Sequence, residues 1–278
     1  MSTSSSTPPS LAPAIAPRPG SALAAFWLDL LIAAAVLFGL SLACGLAWGA
    51  WRGIRVGVEL ARNGAAAPQA QEVARLMGTP GALAQLLIAL VSTGGAALLL
   101  YFLRRRATVA ERSASRQAAR RGSTWAWTLL VATCVFAGSS LIGWLGKSFG
   151  IEPAPTNQPL MEQAMAHYSL FLVVFAVLLA PAYEELLFRR VLFGRLCSAG
   201  RPWLGMVLSS LAFALLHEIP GTSGNGPLEI LQLWLVYGGM GAAFAWLYRK
   251  TGTLWAAIAA HALNNAVALA LMVFSGTQ

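Results

Sequence analysis

The chain has 278 residues, of which 57% are hydrophobic and only 10% charged, against about 25% charged in an ordinary soluble domain. With its apolar residues gathered in long blocks instead of amphipathic stripes, this composition excludes a soluble globular domain. The net charge of +9 does not point to nucleic acid, because the cationic residues fall in short connectors and no soluble face remains to present them.

In chain order, residues 1–20 are rich in Ser, Pro and Ala, with Arg18 the one charged side chain, and are expected to form a disordered cytoplasmic tail. Apolar blocks follow at 26–48 (interrupted by Asp29), 82–103 and 125–145. Each approaches the ~20 residues that cross a ~30 Å hydrocarbon core. Such spans must satisfy their own backbone hydrogen bonds, so they read as helices. The first is too long, and its start too weakly basic, for a cleaved signal peptide. Further spans at about 166–196, 203–217, 229–248 and 253–274 predict an all-α polytopic bundle with about seven crossings. Residues 21–146 make an N-terminal part with three spans, and 166–275 a helical core that holds almost every unusual residue. A polar stretch with Pro153, Pro155 and Pro159 separates the two.

Charge fixes an expected orientation. Arg104, Arg105, Arg106, Arg112, Arg116, Arg120 and Arg121 share one connector, Arg195 and Arg201 flank another, and Arg249 and Lys250 mark a third. The intervening loops carry Glu152, Glu162, Glu218 and Glu229. Cationic connectors alternating with acidic ones place 104–121 and the N-terminus in the cytoplasm, in what is expected to be the plasma membrane. Arg52, Arg55, Arg62 and Arg75, in the 49–80 loop, oppose that assignment. Cys44, Cys134 and Cys197 lie in or beside apolar segments without metal-like spacing, and read as small packing residues.

The chemistry concentrates in three segments. An apolar helix running in from His167 meets Glu184 and Glu185, then continues apolar through Val191, Leu192 and Phe193. A carboxylate at membrane depth costs at least ~2.5 kcal/mol to insert, so it persists where it faces the bundle interior. Glu185 and Arg189 are four apart, in the order that favours an ion pair. Glu184 points about 100° away around the helix and is left without a local partner, which suits a general base or acid. His217 ends one apolar span, four residues after Phe213; His261 lies inside the last, one turn before Asn265. At about 1.5 Å per residue, Glu184, His217, His261 and Asn265 fall within about 8 Å of one depth. Four polar residues from three helices at one level predict a shared pocket. A carboxylate, two imidazoles and an amide suit activation of water against a peptide carbonyl. Equally, His217 and His261 with Glu184 and Asn265 could hold Zn2+ or another divalent metal, and the sequence leaves both routes open.

Glu184-Glu185-x-x-x-Arg189, Phe213-x-x-x-His217 and His261-x-x-x-Asn265, in order on apolar helices, resemble the CPBP family of intramembrane proteases, the type II CAAX prenyl endopeptidases and bacteriocin-processing enzymes. The resemblance covers about 166–270. It implies an intramembrane endopeptidase acting on membrane-associated protein or peptide substrates, with Glu184, His217, His261 and Asn265 catalytic and Glu185, Arg189 and Phe213 supporting. Two competing readings remain. Gly221-Thr-Ser223-Gly224 mimics a rhomboid serine-protease motif, with Ser223 as nucleophile and His261 as partner. A non-catalytic transporter or scaffold would use Glu184 and the histidines as a proton relay.

Overall fold

The computed structural model describes residues 19–64 and 69–275, and among these there are helices and connectors but no strand. The tail expected at 1–20 lies outside the described residues up to position 18, while Pro19 and Gly20 already belong to the first helix. In chain order the helices are α1 (Pro19–Arg62), α2 (Ala70–Met77), α3 (Ala82–Arg104), α4 (Val109–Ala119), α5 (Gly122–Ser148), α6 (Gln158–Ser198), α7 (Pro202–His217), α8 (Pro227–Thr251) and α9 (Leu254–Ser275). Six are long and apolar enough to cross a bilayer, and α7 is a shorter apolar helix. This is a helical membrane bundle of six to seven spans.

Two expected boundaries move. The loop read over 49–80 is mostly helical, since α1 continues through its arginines to Arg62 and α2 follows. At about 1.5 Å per residue its 44 residues reach ~66 Å, twice the hydrocarbon thickness. Among the described residues Arg52 meets no carboxylate; its Nε and Nη2 instead donate to the carbonyls of Met77 and Leu76 at 3.2 and 3.1 Å, closing the C-terminal end of α2. Likewise the polar spacer before 166 is helical from Gln158, with Pro159 in the first turn, where a missing N–H costs nothing.

The connectors collect at two ends, in the alternation that their charges suggest. At the arginine-rich end, Ser115 of α4 bonds Thr253 between α8 and α9 at 2.9 Å, and Arg105 donates to the carbonyl of Gly194 at 3.0 Å. The fully buried Asp29 of α1 pairs with Arg104 of α3 and Arg195 of α6, each at 2.5 Å. The start of α1 therefore sits at this end. At the opposite end the 153–157 strap meets the 218–226 loop, where Asn225 bonds both the N–H and the carbonyl of Ala154.

Between the ends, packing relies on close approach, because lipid supplies no hydrophobic drive between helices. A Cβ at Gly241 of α8 would lie 3.1 Å from Ser210 Cα of α7, and one at Gly205 would lie 3.2 Å from the carbonyl oxygen of Phe193. These glycines let α7 press against α8 and α6. The main core runs along α6 through Leu172, Leu187, Phe188, Val191 and Leu192 to Leu86 and Leu100 of α3 and Phe213 of α7.

Candidate active site

The site grows from a widened stretch of α6. Pro181 has no N–H to give the carbonyl four residues earlier, and the preceding turn, Phe175–Leu179, is wound as a π-helix. A regular turn over Ala180–Glu185 follows, then a second π stretch over Leu186–Phe193. Wide turns on both sides present Glu184 and Glu185 in different directions from adjacent positions.

Glu185 turns into the protein and is fully buried. Its Oε2 lies 2.9 Å from Nε of Arg189, the i,i+4 ion pair expected from the spacing, and its Oε1 lies 2.9 Å from Nδ1 of His261. Arg189 is also fully buried, with its guanidinium 4.8 Å from the Phe213 ring centroid and 5.8 Å from those of Phe188 and Phe244. Ring faces thus supply much of what water would otherwise give this cation.

Glu184 faces a cavity of about 550 Å3 lined also by His217, His261 and Asn265, together with Ser139 and Ser140 of α5 and Tyr237 of α8. Its Oε2 is buried without a hydrogen bond and stands 3.8 Å from Nε2 of both His217 and His261. Each imidazole is held from behind. His217 Nδ1 lies 2.9 Å from the carbonyl of Phe213, as His261 Nδ1 does from Glu185. Acceptors at both Nδ1 atoms place the proton there, so each Nε2 presents a lone pair to Glu184. Aromatic rings fix the imidazole planes: Tyr237 and Phe213 flank His217 at 4.6 and 4.2 Å between centroids, and Phe244 stacks on His261 at 5.3 Å. Asn265 donates one amide N–H to the carbonyl of Ala176 at 2.8 Å, which orients its carboxamide.

Three acceptor atoms therefore converge on a space with no donor of their own. A water giving its two hydrogens answers that need, and so does a cation. For a metal, however, the donor set is more open than its chemistry requires: among the described residues no group of three His, Cys, Asp or Glu side chains closes to metal-binding spacing. Ser223 stands elsewhere. Its hydroxyl donates to Glu218 Oε1 at 2.5 Å, so the serine of the rhomboid-like motif has a carboxylate partner instead of His261.

Sequence reasoning missed Glu218 as more than an acidic loop residue. It is fully buried, and its carboxylate accepts from Thr156 N at 3.2 Å, Thr156 Oγ1 at 2.7 Å, Ser223 and Asn225 Nδ2 at 3.1 Å. Burial alone would push its carboxyl up; the bonds from Ser223, Thr156 and Asn225 outweigh that and hold it below its ordinary value. Trp234 adds a bond to its carbonyl at 2.9 Å. This one side chain, next to His217, ties down the strap whose Pro155 and Asn157 line the cavity. No local signal reveals it, because Thr156 is 62 residues away in sequence. Tyr237 and Phe244 are equally silent, being ordinary apolar residues of α8.

Residues 166–267, which carry Glu184, Glu185, Arg189, Phe213, His217, His261 and Asn265, match the family model described as type II CAAX prenyl endopeptidase Rce1-like. Over that segment, a little over a third of its length, this chain is similar to that family. The chain is also 28% identical over 117 residues to "Putative membrane peptidase YdiL" of Bacillus subtilis (strain 168). That likeness covers 42% of this chain and 43% of the relative, so it spans less than half of either protein. No solved structure matches the chain. The Rce1-like segment runs from the first third of α6 into α9 and includes the Glu184, His217, His261 and Asn265 of the cavity wall.

Proposed function

We propose that this chain is an intramembrane endopeptidase that hydrolyses membrane-associated protein or peptide substrates with water activated by Glu184. The observation that carries the reading is the Glu184 Oε2 atom, buried, free of hydrogen bonds and 3.8 Å from two imidazole nitrogens. A water in that space gives one hydrogen to Glu184 and the other to His217 or His261. As its oxygen attacks the scissile carbonyl, Glu184 takes the proton and later returns it to the leaving amine. Charge on the carbonyl oxygen is stabilised by the second amide N–H of Asn265, while Glu185 holds the His261 ring in place from behind. Glu185, Arg189 and Phe213 act by positioning.

The cavity descends from Glu184 towards the strap end, away from the arginine-rich connectors, and membrane-embedded substrate reaches it between helices. We place the arginine-rich end and the start of α1 in the cytoplasm and the protein in the plasma membrane, on the charge alternation. Ser113→Cys, in a background with Cys44, Cys134 and Cys197 replaced by serine, should react with an impermeant maleimide only after the cytoplasmic face is opened.

The test of activity is cleavage of lipid-anchored, fluorescently quenched peptides by the full chain in liposomes. Glu184→Gln should abolish it and Ser223→Ala should leave it standing. Cleavage undiminished in the Glu184 variant removes this assignment; loss in the Ser223 variant alone restores a serine mechanism.

A further inference from the structure

A second cavity, about 640 Å3, opens at the arginine-rich end on the reverse face of the α6 turn that carries Glu184. Ala182, Leu186 and Arg190 of α6 form one wall, α4 forms another, and the start of α9 forms the floor. That floor is apolar: Leu254, Trp255 and Ile258 line it, with Trp255 57% exposed. The rim is cationic. Glu111, the acidic residue at the rim, is used up, since its two oxygens accept from Arg190 Nη1 and Nη2 at 2.9 and 2.8 Å. Arg112 and Arg116 remain as exposed surplus charge. Arg112 reaches only the carbonyl of Ala107, and Arg116 has no ion-pair partner among the described residues.

An apolar floor beneath unpaired guanidinium groups, at a helix end where an exposed tryptophan marks the interface, fits an amphiphile with a negative head. We propose that this groove binds one anionic phospholipid, its phosphate against Arg112 and Arg116 and its acyl chain along Leu254, Trp255 and Ile258. A free phosphate would satisfy the arginines but leave the floor uncovered, whereas a lipid covers both. The site is independent of the proteolytic reading, because none of its residues reaches the Glu184 cavity.

The experiment uses the full chain in nanodiscs of zwitterionic phosphatidylcholine doped with bromine-labelled phosphatidylglycerol or bromine-labelled phosphatidylcholine. Quenching at Trp255 is read as the difference between the wild type and Trp255→Phe. Phosphatidylglycerol should quench at a mole fraction at least about tenfold lower, and Arg116→Gln should reduce that preference about fivefold. Arg112→Gln should reduce it further, and Arg112→Lys with Arg116→Lys should retain it. Arg116→Gln removes no hydrogen bond seen in the structure, so a fold defect cannot explain its effect. Equal quenching by both lipids overturns the proposal, as does a preference unchanged in Arg116→Gln. Displacement of the lipid signal by millimolar inorganic phosphate also overturns it, by making the groove a soluble-anion site.

Discussion

Glu185 stands directly behind His261, its Oε1 2.9 Å from the imidazole Nδ1 while its Oε2 meets Arg189 at the same distance. One buried carboxylate thus sets both the tautomer of a histidine and the position of a buried cation. Partners of this kind change activity about 10–100-fold when lost. Glu185→Gln should lower cleavage by that factor, through kcat rather than KM, because the imidazole loses its orientation and not the substrate its contacts. Glu185→Ala should also destabilise by about 3–5 kcal/mol, since it strands Arg189 in the core. A double variant, Glu185→Leu with Arg189→Met, should be more stable than either single change. Equal or additive losses in thermal unfolding would contradict the coupling.

Glu184 predicts the reverse pattern. Its Oε2 has no hydrogen bond and faces two lone pairs, so neutralising it removes a repulsion and leaves no partner stranded. Glu184→Gln should unfold at the same temperature as the wild type or higher, while cleavage disappears. A drop of several degrees would mean that this carboxylate is structural.

Chelation separates the two routes that the sequence leaves open. With water activated by Glu184 alone, cleavage should survive dialysis against EDTA and 1,10-phenanthroline, and the purified protein should carry substoichiometric metal. Activity lost on chelation and recovered with Zn2+ would show that His217 and His261 close around a cation with Glu184.

The strap offers a test of Glu218. Glu218→Ala leaves Thr156, Ser223 and Asn225 without their shared acceptor, and the 153–157 segment should lift from the cavity mouth. In a background free of native cysteines, Ser139→Cys should then react with a water-soluble maleimide about tenfold faster, a factor of ten standing for about 1.4 kcal/mol of lost closure. Unchanged labelling would mean that other contacts hold the strap.

At the arginine-rich end the pair of Glu111 and Arg190 makes a prediction with pH. The hydrogen bond from Arg190 brings the Glu111 carboxyl down from 4.5 to about 2. A carboxyl depressed on folding stabilises above its unfolded value and loses that contribution as pH falls through its folded value. The side chain is 47% exposed, so solvent screening limits the effect to about 1 kcal/mol or less. Glu111→Gln should therefore unfold slightly earlier at pH 7, and the gap should narrow below about pH 4.5 and close near pH 2. A gap that widens on acidification would refute the pairing.

What the sequence made legible follows from isolation. Glu184, His217 and His261 stand out because apolar residues surround them, and the helical rise places them at one depth, where the structure brings them around one cavity. The ion pair of Glu185 and Arg189 was readable because both partners lie on one helix. By contrast, the contact between Glu218 and Thr156 joins segments from different parts of the chain, and nothing local distinguishes that glutamate from a solvated one. The helix through Arg52 and Arg62 was hidden for the opposite reason: its charges read as a loop, whereas Arg52 finds backbone carbonyls on a neighbouring helix.

Asp29 carries a consequence for how the protein is made. Its two partners are translated 75 and 166 residues after it, in α3 and α6. Until they emerge, the first hydrophobic segment holds a lone carboxylate whose transfer into lipid is unfavourable by a few kcal/mol. The first span therefore carries that cost until α3 and α6 follow, and before Arg195 is synthesised it is only partly compensated.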